Sequence, residues 1–177
     1  MRKAAAAAGK VSMSSSIPVD DIFALFGMKR EFSLDEKELE KKYFDLQKNC
    51  HPDKFVTESV PVKVARHEES AKINTAYRIL RNPLARAEYL LVGFGKPSPE
   101  LLTEIMEIQE KLVNAGTMEE IVIMQNFAES EKEKSIANLK KYFSTHNLSK
   151  AAEETVRLKY LTKFSEEIKA RRKSAAA

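Results

Sequence analysis

Apolar positions recur along most of the chain three and four residues apart, which is the spacing of amphipathic helices. Turn signals divide this pattern into four segments followed by three. Only five glycines occur in 177 residues, fewer than a turn-rich sheet protein would need. The chain is therefore predicted to be all-α, with an N-terminal antiparallel helical hairpin and short helices, joined to a C-terminal three-helix bundle.

In the N-terminal unit, the strongest signal is a pair of long helices separated by a proline. Ser33 and Glu36 form a capping-box pattern that predicts the start of the first helix. Pro52 ends this helix near Cys50, because its ring disfavours the α conformation of the preceding residue. The second helix is predicted over about 62–80. The two helices must then lie antiparallel, with the sequence HPDKF in their connection.

Two shorter helices complete this unit. One is predicted in IPVDDIFALFG, between Pro18 and Gly27, and the other in LARAEYLL, after the break at Pro83. The buried stripes predicted on the two long helices are formed by Leu39, Tyr43, Leu46, Cys50, Val62, Ala65, Glu69, Ile73, Ala76 and Leu80.

The C-terminal unit follows the segment GFGKPSPE, whose glycines and prolines predict a boundary. Ser98 is placed to cap the next helix, with Pro99 in its first turn and Gly116 beyond its end. TMEE is a second capping box, which opens a helix over about 118–143, and a last helix covers about 151–170.

These signals divide the chain into an N-terminal tail, two domains, a linker and a C-terminal tail. The N-terminal tail is predicted at residues 1–16 and the first domain at 17–93. The linker follows at 94–99, the second domain at 100–171 and the C-terminal tail at 172–177. The first sixteen residues are rich in Ala, Ser, Lys and Arg and contain no acid. This composition fits a disordered or appended tail, which we favour, or a weak organelle-targeting segment.

Composition narrows the functional classes. Apolar residues make up 43% of the chain and charged residues 32%, which is typical of a soluble helical protein. The net charge of +4 is inflated by basic residues at both ends, and no nucleic-acid-reading motif accompanies it. A single cysteine indicates an intracellular chain without an internal disulfide. No apolar run approaches the roughly 20 residues of a membrane helix.

The segment QKNCHPDKF holds the candidate chemistry, because it places the only cysteine beside His51, Pro52 and Asp53. Neighbours on a turn rarely point at one another as a catalytic triad requires, so an enzyme built on Cys50 is a distant alternative. The three histidines lack ligand spacing, and we expect no catalytic residue, no metal and no cofactor. Cys50 continues a buried stripe and is better interpreted as core.

A helix stop and cap explain Pro52 and Asp53 but leave His51 without a role. Loops at the tip of a rigid hairpin are suited to presenting side chains to a partner. The segment YFDLQKNCHPDKF, followed by AKINTAYRIL and NPLARAEYLL, resembles the J domain, the module that stimulates ATP hydrolysis by seventy-kilodalton heat-shock chaperones. The chaperone-binding residues that the resemblance implies are His51, Pro52, Asp53, Lys41, Lys42 and Lys48.

The whole arrangement resembles the HscB-type co-chaperones of iron–sulfur cluster assembly over about residues 18–170. The resemblance rests on a J domain without a Gly/Phe-rich linker, joined to a small helical domain that contains LLTEIMEIQEKL and VRLKYLTKF. It implies an HscA-type chaperone and an IscU-type scaffold protein as partners, no nucleic acid, no membrane and a fixed L shape. The implied compartment is the bacterial cytoplasm or, alternatively, the mitochondrial matrix.

The helix after Pro99 carries two apolar stripes about 120° apart. The expected core stripe is Leu101, Ile105, Ile108 and Leu112, and the second stripe is Leu102, Met106 and Val113. Such a helix can lie between two neighbours, or its second stripe can form a binding patch. In the last helix, an inner stripe of Leu158, Leu161 and Ile168 places Val156 and Tyr160 nearly opposite the core.

The resemblance implies that the second stripe belongs to a scaffold-binding patch. The implied scaffold-binding residues are Leu102, Met106, Glu107, Glu110 and Tyr160. Thr103 departs from the apolar residue that is common at its position in the family. The rival hypothesis is a generic J-domain protein whose helical domain recruits another client or dimerises.

Overall fold

The computed structural model describes residues 21–50, 55, 57–91 and 97–175. These residues form seven α-helices and, across those ranges, no β-strand. The helices are α1 (Ile22–Leu25), α2 (Glu36–Cys50), α3 (Val60–Arg81), α4 (Pro83–Leu90), α5 (Pro99–Asn114), α6 (Met118–Ser144) and α7 (Leu148–Ala175). The predicted all-α fold, with four helices followed by three, is confirmed.

Helices α2 and α3 form the predicted antiparallel hairpin. Tyr43 Oη donates a hydrogen bond to Asn74 Oδ1 at 2.9 Å, and Gln47 Nε2 donates to the same oxygen at 2.7 Å. One turn earlier in α3, the Ser70 hydroxyl donates to Gln47 Oε1 at 3.1 Å. Residue numbers therefore rise along α2 as they fall along α3. The predicted tip of the hairpin, residues 51–54, lies outside the described residues.

A hydrophobic cluster holds this hairpin against α1. Its buried members are Phe23, Phe26, Leu39, Cys50, Ile73, Ala76 and Leu80. The stripe predicted on α2 is confirmed, and Cys50 is a core residue. The stripe predicted on α3 is wrong in its first half, where Ala65 and Glu69 are exposed. Only three residues of α2 follow Gln47, whereas ten residues of α3 precede Ser70, so the start of α3 projects beyond the end of α2.

The start of α2 also differs from its prediction. The helix begins at Glu36, and Asp35 is its cap, because Asp35 Oδ1 accepts hydrogen bonds from the backbone N–H groups of Lys37 at 2.9 Å and Glu38 at 3.2 Å. The capping box predicted at Ser33 is therefore wrong. A capping oxygen must reach the second and third residues of the helix, and only Asp35 stands directly before its first residue.

In the C-terminal half the cap predictions are confirmed. Ser98 Oγ accepts from the N–H of Leu101 at 3.3 Å. Thr117 Oγ1 accepts from the N–H of Glu120 at 3.2 Å, and the Glu120 carboxylate accepts from the N–H of Thr117 at 3.0 Å. Helix α7 extends beyond its predicted range at both ends and pairs antiparallel with α6.

A second cluster joins the two halves. Phe32, Ala87 and Leu91 from the first half are buried against Leu139, Ala151 and Leu158 from the second. The Phe32 ring stacks on Phe143 with centroids 4.9 Å apart and an interplanar angle of 12°. The guanidinium of buried Arg86 lies 5.1 Å from the Phe32 centroid. The two halves therefore share a core, while the predicted linker falls partly on residues 92–96, outside the described ranges.

Candidate functional site: two surfaces for protein partners

The first candidate surface is the outer face of α2. Lys41 and Lys48 are exposed there and lie seven residues apart, which places them on one side of the helix. Lys42 is half-buried, and its Nζ lies 2.9 Å from Glu38 Oε1 and donates to the carbonyl oxygen of Gly27 at 2.9 Å. Lys41 and Lys48 are thus available to a partner, whereas Lys42 is engaged within its own domain.

Phe44 lies between these lysines and was not predicted as a site residue. Its side chain is 61% exposed, and its ring contacts Tyr43 with centroids 5.5 Å apart. The sequence did contain a signal, because Phe44 follows Lys41 by three residues and precedes Lys48 by four. The three residues His51, Pro52 and Asp53, which complete the predicted chaperone surface, lie outside the described residues.

The second candidate surface is built on α5, whose inner face packs on α7. Leu101, Ile105 and Leu112 are buried, as predicted, and Ile108 is half-buried. Two arginines of α7 fix the ends of this packing. Arg157 forms a two-pronged ion pair with Glu104, and Arg171 Nη1 donates to the carbonyl oxygen of Leu112 at 2.8 Å. Helix α5 is therefore held on α7 near both of its ends.

The structure places all five predicted scaffold-binding residues at the surface. Met106 is 70% exposed, Leu102 38% and Tyr160 39%. Glu107 and Glu110 are also exposed. Thr103 turns its hydroxyl back to its own helix and donates to the carbonyl oxygen of Pro99 at 3.0 Å.

These side chains follow a fixed order around α5 at about 100° per residue. Passing outward from the face that meets α7, the order is Ile108, Ile105, Gln109, Leu102, Val113, Met106, Glu110 and Glu107. The exposed apolar residues Leu102, Met106 and Val113 form what we call the α5 ridge. The two glutamates line its outer edge, so the surface is apolar in the middle and negative on one side.

Tyr160 lies closer to α5 than the sequence predicted. It lines a groove between α5 and α7 together with Ile105 and Ile108, and therefore stands at the flank of α7. The expectation that Tyr160 and Val156 lie nearly opposite the core is wrong, since Val156 is half-buried and Tyr160 faces the groove. A helical wheel cannot find such a groove, because it forms only when two helices pack.

Lys159, the residue before Tyr160 in α7, connects the region of the predicted scaffold-binding patch to the first half of the protein. Lys159 Nζ donates to Glu88 Oε1 at 2.8 Å, and this hydrogen bond and charge raise the pKa of Lys159 above its usual range. Glu88 belongs to α4, so the ion pair joins the two halves of the chain next to the patch.

The described part of the chain offers no group of three or more His, Cys, Asp or Glu side chains arranged to hold a metal ion. Within the same residues, none of the helices combines the length and apolar character needed to cross a membrane. His67 lies in α3 and His146 in the turn between α6 and α7, and both are exposed.

The fold and these surfaces define the chain as a J-domain protein with an added helical domain. Residues 21–89 match the family model described as the DnaJ domain, and residues 97–169 match the one described as the HSCB C-terminal oligomerisation domain. The chain therefore belongs to the HscB family of J-domain co-chaperones, which function in iron–sulfur cluster assembly. The family resemblance found in the sequence is confirmed.

Individual relatives agree with this assignment. The chain is 33% identical to the co-chaperone protein HscB homolog of Vibrio vulnificus, over 82% of this chain and 93% of that one. It is 30% identical to the human iron-sulfur cluster co-chaperone protein HscB, over 86% of this chain and 68% of that one. The structure of the chaperone HscB from Vibrio cholerae is 31% identical and superposes with a TM-score of 0.76, over 87% of this chain and 98% of that one.

Proposed function

We propose that the protein is an adaptor that binds an IscU-type scaffold protein and delivers it to an HscA-type heat-shock chaperone, whose ATPase it stimulates. The observation that carries the proposal is the exposed α5 ridge beside Tyr160, with Glu107 and Glu110 along its outer edge. A patch with an apolar centre and a charged rim is typical of a protein-binding surface. It stands in a chain whose other half is a J domain.

On the chaperone side, we assign the contact to the α2 face and the HPD sequence. Lys41 and Lys48 supply positive charge for an acidic partner surface, which favours fast and correctly oriented association. Asp53 can promote hydrolysis only by binding the hydrolysis-competent chaperone state better than the other state, because equal binding shifts no equilibrium. We assign the same preference for the hydrolysis-competent state to His51 and Pro52, as parts of one contact.

The two contacts act together because one chain makes both. Binding the scaffold to the C-terminal half raises its local concentration at a chaperone held by the J domain, so two modest affinities combine. Hydrolysis then traps the scaffold on the chaperone and promotes cluster transfer. The adaptor needs no catalytic residue or cofactor of its own for this role. It would act in the bacterial cytoplasm or, alternatively, in the mitochondrial matrix.

The proposal predicts a separation between scaffold binding and stability. Met106→Ala combined with Tyr160→Ala should weaken binding of a purified IscU-type scaffold by about tenfold or more, because exposed apolar anchors dominate such interfaces. Isothermal titration calorimetry measures the affinity, and thermal unfolding should show a small change. Ile123→Ala is a matched control, because Ile123 is 65% exposed but lies on α6.

Two results would contradict the proposal. If wild-type protein does not bind the scaffold, the C-terminal half serves a different client. If the double variant loses its cooperative unfolding, Met106 and Tyr160 contribute to the core and do not form a binding patch.

A further inference from the structure

The groove between α5 and α7 is a pocket with apolar walls. Its walls come from Ile105 and Ile108 on one helix and Leu161 and Phe164 on the other, and Tyr160 stands beside them. The polar residues that line it are Gln109, Lys163 and Glu167. The chaperone-side and scaffold-side residues predicted from the sequence leave this pocket unexplained, except for Tyr160.

The size of the pocket limits what can enter it. It offers about 40 Å³, roughly three times the 10–15 Å³ that one water molecule needs. This volume suits the end of one branched aliphatic side chain and is too small for a cofactor or a peptide segment. The apolar walls give water few hydrogen-bond partners, so an aliphatic group is the favoured occupant.

We propose that this pocket receives one aliphatic side chain of the scaffold protein, in addition to the contact on the α5 ridge. The inference rests on the proposed scaffold binding and specifies how the scaffold is recognised. Tyr160 belongs to both surfaces, because it is exposed beside the ridge and lines the pocket. Gln109 lines the pocket and lies one helical turn from Met106 and Val113 of the ridge. A partner seated on the ridge and on Tyr160 is therefore next to the mouth of the pocket.

Charge around the two surfaces indicates which side of the scaffold segment faces the ridge. Glu107 and Glu110 lie on the outer edge of the ridge, so a complementary segment carries a basic group on that side of its aliphatic side chain. On α7, Lys163 and Glu167 both line the pocket, so this side offers charges of both signs. The pocket thus supplies specificity for side-chain size, and the two glutamates of the ridge supply specificity for direction.

The first test fills the pocket with a larger side chain. Ile108→Phe should weaken binding of a purified IscU-type scaffold by about tenfold or more, measured by calorimetry. The matched control, Ile123→Phe, adds the same group on exposed α6 and should change the affinity by less than about twofold. Stimulation of the chaperone by Ile108→Phe in the absence of scaffold should equal that of wild type.

A second measurement does not depend on a variant. With methyl groups labelled in the full-length wild-type chain, the Ile108 and Leu161 methyls should show intermolecular nuclear Overhauser effects to an aliphatic side chain of unlabelled scaffold. This readout decides the question if Ile108→Phe fails to fold.

Three results would overturn the inference, and they differ in their consequences. If scaffold binds wild type and Ile108→Phe equally, with Overhauser effects only at Leu102 and Met106, the pocket is not used but the proposed function stands. If the pocket methyls contact unlabelled copies of the chain itself, the occupant is a second copy. If wild type does not bind scaffold at all, the proposed function and the pocket assignment fail together.

Discussion

At the scale of single residues, Glu129 shows how a side chain can link helices α6 and α7. Its carboxylate accepts a hydrogen bond from the buried Ser165 hydroxyl at 2.7 Å and forms an ion pair with Lys132, whose Nζ lies 3.0 Å away. The Ser165 hydrogen bond is the largest cause that holds the pKa of Glu129 below its ordinary value of 4.5, followed by the bond from Lys132. The ionised carboxylate is therefore the form that the folded protein prefers.

This preference predicts a pH-dependent contribution to stability. Because the folded pKa is depressed, the contribution is fully present above the unfolded pKa of 4.5 and is lost as the pH falls through the folded value. Ser165→Ala removes the main cause, so its loss of unfolding free energy relative to wild type should shrink as the pH is lowered from about 7 to about 3. Urea unfolding at several pH values measures this. A difference that stays constant with pH would show that Ser165 contributes through packing alone.

Residue-scale reasoning from the sequence predicted which side chains of the proposed patch are exposed, but not what surrounds them. Leu102, Met106 and Tyr160 are exposed as expected, although Tyr160 lies beside the groove and not opposite the core. The groove next to Tyr160 could not be predicted, because its walls are residues that are distant in sequence and meet only through the packing of α5 on α7. The hydrogen bond from Lys42 to the carbonyl oxygen of Gly27 could not be predicted for the same reason.

At the scale of helices, caps and breaks explain most boundaries. Asn82 caps α4 by accepting from the backbone N–H groups of Leu84 at 2.9 Å and Ala85 at 3.2 Å, with Pro83 as its first residue. Such local signals can be identified in a sequence because the partners are two or three residues apart. Ser33 and Asp35 show the limit of such signals, because the sequence pattern favoured Ser33, whereas the residue that caps α2 is Asp35, two positions later.

The capping box of α6 carries a prediction at this scale. Thr117→Ala removes the oxygen that accepts from the N–H of Glu120, so the unfolding free energy should fall by about 1 kcal/mol. The control is Asn126→Ala, an exposed position inside the same helix that should be neutral or slightly stabilising because alanine has the higher helix propensity. Chemical denaturation checks both. Equal effects of the two substitutions would mean that the cap bond adds nothing to α6.

At the scale of the whole molecule, the contact between the halves determines whether the two partner surfaces move together. Phe32 is 1% exposed and lies between Phe143 and the guanidinium of Arg86. Burial lowers the pKa of Arg86, while the nearby charge of Glu36 opposes that shift. Two Arg86 nitrogens, Nε and Nη1, have no hydrogen-bond partner among the described residues, so the Phe32 ring and the charge of Glu36 are what stabilise this buried cation there. Periodicity could not predict this arrangement, because its members are far apart in the chain.

Removal of this ring should destabilise the protein strongly. Phe32→Ala is expected to lower the unfolding free energy by about 3–5 kcal/mol, the usual cost of emptying a buried phenylalanine site. Phe44→Ala removes the same side chain from a position that is 61% exposed and should change it by no more than about 0.5 kcal/mol. Urea denaturation compares the two variants. A loss below about 1 kcal/mol for Phe32→Ala would show that the halves do not depend on this contact.

The central claim is that one chain couples a scaffold-binding patch to chaperone activation, and a steady-state ATPase assay tests it most directly. The rate of an HscA-type chaperone is measured with this protein, with an IscU-type scaffold and with both, for wild type, Asp53→Asn and the control Glu133→Gln, which changes an exposed carboxylate of α6, outside both proposed surfaces, into an amide. We predict synergy of protein and scaffold that Glu133→Gln retains and Asp53→Asn loses, with scaffold affinity unchanged in both variants. Stimulation that ignores the scaffold, or that survives Asp53→Asn, would contradict the account.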